Sequence, residues 1–529
     1  FSIHGLNVTP QLFDFLPSAL TIYRQRLAPT GPLDVRGKIE RSSTAWSADI
    51  DLVPRGMRFR FESFPYPLTD VGGQLQWHWS SVQTQRLEVD LTAKGSLDRP
   101  VTIRGQVHGS GPTAEYSYVL LGDGMPIDEA LIQALPAKFQ NITRSFHPTG
   151  RCDISATIRR PSGAAHPTQH YHVRVRDATM CYDVFPTPLT RLSGLLDFLL
   201  APPGDVDGTR VEVSVVRGER DGGRVTVHGA ARPTPAGTRL DLAVHGEQFP
   251  LDAALTDAFS RLRLRPIWDM LAPAGRMDFD AQFAHVEHPD RSPEFTLRVA
   301  PRGAAVRPTF FPFALHDLVA AIVVTRTRVE FENLQARHGM STIRVAGGSI
   351  AFRDGGFWAD VAGISADPLP VDADLIQACP RAIQAVCRAL ELRGNLSVRL
   401  DRLIIDQPPS LPGPGGPPLF YWKGRVAMAD ASLRTGVDWE GVTGEAACAG
   451  RYRGHGIELL EGHIALERAA IFGQPISAVH ARASIDSAAP HELKLRDIRA
   501  QLFGGQVAGE AGIGFAAGLQ YRLDFKAVG

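Results

Sequence analysis

Two histidines flank a tyrosine in "HYH", at His170 and His172, and another pair brackets "HVEH", from His285 to His288. Imidazoles at such spacing are common transition-metal ligands, and in an extended strand His170 and His172 share one face. A metal site needs at least a third protein donor, and none is identifiable, so a solvated strand face is expected. "DVDG", Asp205 to Gly208, resembles the start of a calcium loop but lacks the distal glutamate, which leaves a polar turn. Asp128, Asp252 and Asp372 each stand two residues after a proline, in "MPIDEAL", "FPLDAAL" and "LPVDADL". A catalytic acid has no reason to recur in this way, whereas a carboxylate at a helix N-terminus does. No GxSxG, phosphate-binding loop or dinucleotide fingerprint occurs. Cys152, Cys181, Cys379, Cys387 and Cys448 are odd in number and lack CxxC spacing. Cys379 and Cys387 lie about two helical turns apart and leave one bridge open, but buried single thiols are the simpler reading. These residues predict a protein that is not an enzyme, with no metal and no cofactor.

The elements that carry them repeat. One short turn is expected to recur: "FPYPLTDVGGQL" begins at Phe64, "FPTPLTRLSGLL" at Phe185 and "FPFALHDLVAAI" at Phe311, spaced by 121 and 126 residues. The PxD segments recur at 124 and 120 residues, and a glycine after an apolar approach recurs at Gly31, Gly150, Gly275 and Gly394. Fourteen residues before three of these glycines stands a proline, at Pro17, Pro136 and Pro380, with Arg261 in the remaining unit. Between each PxD and its glycine the apolar spacing is helical, as in Leu251, Leu255 and Phe259, predicting one short broken helical segment per repeat. After each glycine the period becomes two, which predicts a strand with one buried face. Turn signals such as "GERDGGR" and "PTPAGT" separate further alternating stretches, giving six or seven strands of about seven residues per repeat. The organisation read from these landmarks is 1–31 as the end of a truncated preceding repeat, 32–150, 151–275 and 276–394 as repeats 1 to 3, and 395–529 as a partial C-terminal repeat, with a Pro/Gly-rich loop at 407–418.

Composition narrows the function. Lys+Arg and Asp+Glu each total 56, so the formal net charge is zero, and no long run of one sign provides a nucleic-acid surface. No stretch is long and apolar enough to form a transmembrane helix, and "FSIHGLNVTP" is not a signal peptide, so the chain reads as an excised piece of a larger protein.

A sheet with one apolar face and few helices must pack against a second sheet, cover itself with helices, or line a trough. Exposed apolar surface costs about 25 cal/mol per Å², so an uncovered trough should hold something apolar. The expected fold is therefore mostly β: an elongated, repetitive antiparallel sheet curled into an open apolar groove. Its expected lining comprises Val101, Ile103, Val107, Ile154, Ile158, Val211, Val213, Val215, Val225 and Val227, continuing with Leu240, Leu242, Val244, Phe279, Phe283, Ile343, Val345, Leu396, Val398 and Leu400. Phe64, Phe185 and Phe311 are expected to pack rather than to touch ligand. A scaffold with a dry interior has the same pattern.

The segments "LEVDLTAKGSLDRPVTIRGQV", "FENLQARHGMSTIRVAGGSIAF" and above all "LRDIRAQLFGGQVAGEAGIGF", from Leu495, carry a strand-pair pattern after a Pro-Leu element. In this the sequence resembles the AsmA-like superfamily of envelope proteins, whose relatives include TamB and YhdP and which is grouped with bridge-like lipid-transfer proteins. The resemblance implies a taco-shaped β-groove that shields phospholipid or other acyl chains and forms part of an inter-membrane conduit. It also implies a place in the periplasm and cell envelope of a diderm bacterium, with membranes at the ends of an inner-membrane-anchored parent and envelope proteins as possible partners. A TamB-like part in outer-membrane assembly is the alternative.

Overall fold

Glycine decides where four of the long strands begin. Gly31, Gly150, Gly275 and Gly394 have φ of 115°, 114°, 104° and 110°, in the region that disfavours side chains. A Cβ on Gly150 would lie 2.6 Å from Ala178 Cα, and one on Gly394 would lie 3.0 Å from Ala431 Cα, so the bare backbone also lets the neighbouring strand approach. The computed structural model describes all residues except 16–23, 25–26, 63, 110–113, 203–204, 206–207, 263, 288–291, 354, 410–415, 455, 515–519 and 529. Pro17, His288, the centre of "DVDG" and most of the Pro/Gly-rich loop therefore lie outside the described residues.

The described residues are mostly strand, twenty-eight in number, with short helices between some of them. Seven strands lie between Gly31 and Asp128, six between Gly150 and Asp252, and six between Gly275 and Asp372. They are longer than expected, from 5 residues in Met57–Phe61 to 17 in Phe64–Ser80. The reason is visible in the phenylalanine motif, which is not a turn. Its first two copies lie within the strands Phe64–Ser80 and Phe185–Leu200, and its third leads into Leu315–Thr325. Six places after each phenylalanine, Asp70, Arg191 and Asp317 adopt φ of 48°, 50° and 52°. Each forms a bulge that shifts the alternation by one place, so Tyr66, Leu68 and Val71 are buried in the first copy and Thr187, Leu189 and Leu192 in the second. Residues that signal turns bend these strands without ending them.

Among the described residues six helices come in pairs: α1 (Glu129–Ala134) with α2 (Ala137–Ser145), α3 (Leu255–Arg261) with α4 (Arg265–Leu271), and α5 (Ala373–Ala378) with α6 (Arg381–Ala389). The Asp128 carboxylate accepts from Leu131 N–H at 2.9 Å, and Asp372 accepts from Leu375 N–H at 2.9 Å, capping α1 and α5. Pro136 and Pro380 break the pairs, and Gln140 and Gln384 each bridge the break by donating to two backbone carbonyls of the preceding helix end. The middle pair differs. Asp252 accepts from Ala254 N–H, α3 starts only at Leu255, and Arg261 closes it where the other pairs have proline.

The chain divides into two compact units, residues 1–249 with 280–295, and residues 250–279 with 296–529. Within the first, successive strands from Ser2–Val8 to Gly237–Leu251 pair antiparallel, with Met57–Phe61 forming a side hairpin on Phe64–Ser80. Within the second, the same open antiparallel order runs from Leu315–Thr325 to Gln520–Val528.

Candidate functional site

Residues facing each other across a ladder share a face, so register alone traces the surface. In the first unit one row reads Leu91, Ile103, Leu120, Ala156, Tyr171, Phe198, Val211, Ala231 and Leu240. The adjacent row reads Ala93, Val101, Gly122, Ile154, Val173, Leu196, Val213, Gly229 and Leu242. Neither row holds a charged residue over nine strands, which at about 4.8 Å per strand is a stripe of roughly 38 Å. The opposite face carries Ser155, His172, Asp197 and Glu212 in one row.

Two cavities open on the apolar face, of about 1010 and 1380 Å³ counting their open mouths. They share Phe64, Leu131 and Ile154 in their walls, and no charged side chain is among the described lining of either. The smaller is walled by Phe59, Phe61, Val89, Tyr118 and Met125. The larger lies under α1 and α2, whose Ile132, Phe139 and Ile142 face Tyr171, Phe198 and Val211. Phe139 meets Phe198 edge-on at 6.1 Å between ring centres. Cys152 lines the larger cavity, where burial, with Asp153 and Asp128 nearby, pushes its thiol up to about 12. A thiol so hard to ionise is a poor nucleophile.

Eight of the residues expected to line a groove lie in these walls: Val101, Ile103, Ile154, Val211, Val213, Val227, Leu240 and Leu242. Val107 and Ile158 instead close a small packed cluster with Ala114 and Tyr116, where Ile158 is wholly buried. Val225 is buried opposite Gly218, and half-buried Val244 pairs with Val227 on the apolar face. Phe283 packs on the cluster of Phe139 and Phe198. In the second unit Ile343, Leu396 and Val398 pack with Phe313, Leu369 and Leu375, while Val345, Leu400 and Phe279 are half-buried.

Val215 is on the wrong face for the lining assigned to it. Leu196 pairs with Val213 but the next residue, Leu195, pairs with Val215, so an extra residue in this strand turns Val215 to the polar side and Val216 to the cavity. The missed lining residues fall into two groups. Leu131, Phe139 and Ile142 show helical spacing in the sequence, which could have revealed them, whereas Val216 carries no local signal at all. Phe64 both packs and lines: its ring lies 5.3 Å from that of Tyr171 and forms part of both cavity walls.

The polar residues form different associations. His170 Nε2 and His172 Nδ1 lie 3.0 and 2.8 Å from the same oxygen of Asp197. Burial raises the Asp197 carboxyl, but the two imidazoles more than offset this and hold it below the usual range. Among the described residues no three His, Cys, Asp or Glu side chains gather in metal-binding geometry. All five cysteines are free thiols. No described helix is long and apolar enough to cross a membrane. Neither a family model nor a curated protein matches the chain.

Proposed function

We propose that this protein is a non-catalytic lipid-binding and transfer module, shielding the acyl chains of phospholipids along its apolar sheet face. The observation that carries this reading is the pair of uncharged nine-strand rows, which contribute to two neighbouring cavities that share wall residues. A charge-free space extended along a sheet suits a long flexible hydrocarbon better than a compact substrate, whose pocket carries a few placed polar groups. The resemblance to AsmA-like proteins supports placing the module in an inter-membrane conduit of a diderm envelope, with the parent protein anchored in the inner membrane.

A dry-core scaffold is the second reading, favoured by α1 and α2 packing onto the sheet between the same rows. Native mass spectrometry with lipid extraction separates the two. Several phospholipids per chain, lost from Val213→Asp while that variant stays folded, is the expected result. A lipid-free chain that takes up nothing from liposomes, with Val213→Asp unfolding early by about 3 kcal/mol, would sink the lipid reading.

A further inference from the structure

Beside the larger apolar cavity, with Ile142 in both walls, lies a space of different character, about 1200 Å³ counting its mouth. It is lined from α2 by Asn141 and Ser145, and from the sheet by Tyr182, Thr234, His285 and Glu287. The Tyr182 ring is fixed by Phe146, stacked at 4.2 Å, and by Phe283, edge-on at 6.2 Å. Its hydroxyl is buried without a hydrogen-bond partner, and so is His285 Nδ1. An unpaired buried polar atom is costly, so two of them on residues that line one cavity favour a ligand that satisfies both.

We propose that this cavity holds the primary ammonium of an aminoethyl lipid head group whose acyl chains occupy the adjoining apolar space. The proposal rests on the lipid reading above. An ammonium has three N–H donors, and Tyr182 Oη, His285 Nδ1 and the Glu287 carboxylate are three acceptors. No lysine or arginine is among the described lining to balance a phosphate. Burial raises the Glu287 carboxyl above its usual range and lowers His285, which favours the neutral imidazole, and an arriving cation would favour the charged form of Glu287. A quaternary choline has no N–H to donate and a glycerol head group has no charge to offer.

The test is calorimetric titration of the whole chain with dihexanoyl phosphatidylethanolamine, phosphatidylcholine and phosphatidylglycerol, each below its micellar concentration. The wild type should prefer the ethanolamine lipid by about tenfold, the value of one charge-assisted hydrogen bond. Glu287→Gln should lose most of that preference while binding phosphatidylcholine as before, and Tyr182→Phe, which keeps the ring packing, should lose part of it. Equal binding of all three lipids, or preference for phosphatidylglycerol, overturns the head-group site and leaves the acyl reading standing. Binding of none overturns both. Saturable binding of ethanolamine alone at comparable strength overturns the lipid assignment.

Discussion

In the first unit the row from Leu91 to Leu240 carries Tyr171 and Phe198, whereas in the second the row Ala336, Ile343, Ala366, Val398, Val426, Ala446, Ile464 and Ala481 has four alanines and no aromatic ring. The helix pairs above them differ in the same sense. Phe139 and Ile142 of α2 are buried, while Ile383 and Val386, 244 residues further on in α6, are only half-buried. Yet the caps, the breaking prolines and the bridging glutamines are the same in both pairs. Backbone devices and side-chain filling are thus set separately: identical capping chemistry builds the element, and the size of the residues beneath decides how much apolar surface stays open.

Substitutions at matching positions put that separation at risk. Phe139→Ala should cost about 4 kcal/mol in urea unfolding and Ile383→Ala about half as much, because only the first empties a filled site. Equal losses would mean that the two helix pairs are packed alike. Gly150→Val should cost about 3 kcal/mol from its positive φ and its close approach to Ala178, and Gly394→Val somewhat less, since its neighbour is further away. The order of the two midpoints is the check. Asp128→Ala and Asp372→Ala should each cost about 1 kcal/mol, and equally, as both remove the same cap. A large difference would show that the surrounding packing sets the value of the cap.

The smallest effect concerns pH. In the second unit Arg402 donates to both oxygens of Asp360, at 2.9 and 2.6 Å, and these bonds hold its carboxyl below the usual range against the opposing pull of burial. The unfolded chain therefore takes up this proton at higher pH than the folded one. The contribution is complete above the ordinary aspartate value of about 3.9 and fades as pH falls through the folded value. Asp360→Asn should be less stable than the wild type at pH 7, and the gap should narrow below about pH 4, as read from melting temperatures across that range. A gap independent of pH would assign the loss to packing rather than to the ion pair.

Much of the local plan was legible. Gly31, Gly150, Gly275 and Gly394 announced strand starts because no other residue tolerates their φ, and Asp128 and Asp372 announced helix starts because an N-cap needs a short acceptor. Strand length was misjudged at Asp70 and Arg191, where turn-forming residues adopt left-handed φ inside continuous strands. Val215 was assigned to the wrong face for a related reason, a bulge visible only in the pairing of its strand with Leu195 and Leu196.

The sequence by itself determined the mostly β class, the antiparallel strands, the helix breaks and the apolar stripe, all of which follow from backbone preferences and from side-chain alternation within a few residues. Only the tertiary structure decided which strands align Ile154 with Val173 and Leu196, where bulges shift a face, and how Phe139 and Tyr182 divide one side of the sheet into an apolar and a polar space. Those outcomes depend on register and packing between residues far apart in the chain, and no local preference encodes them.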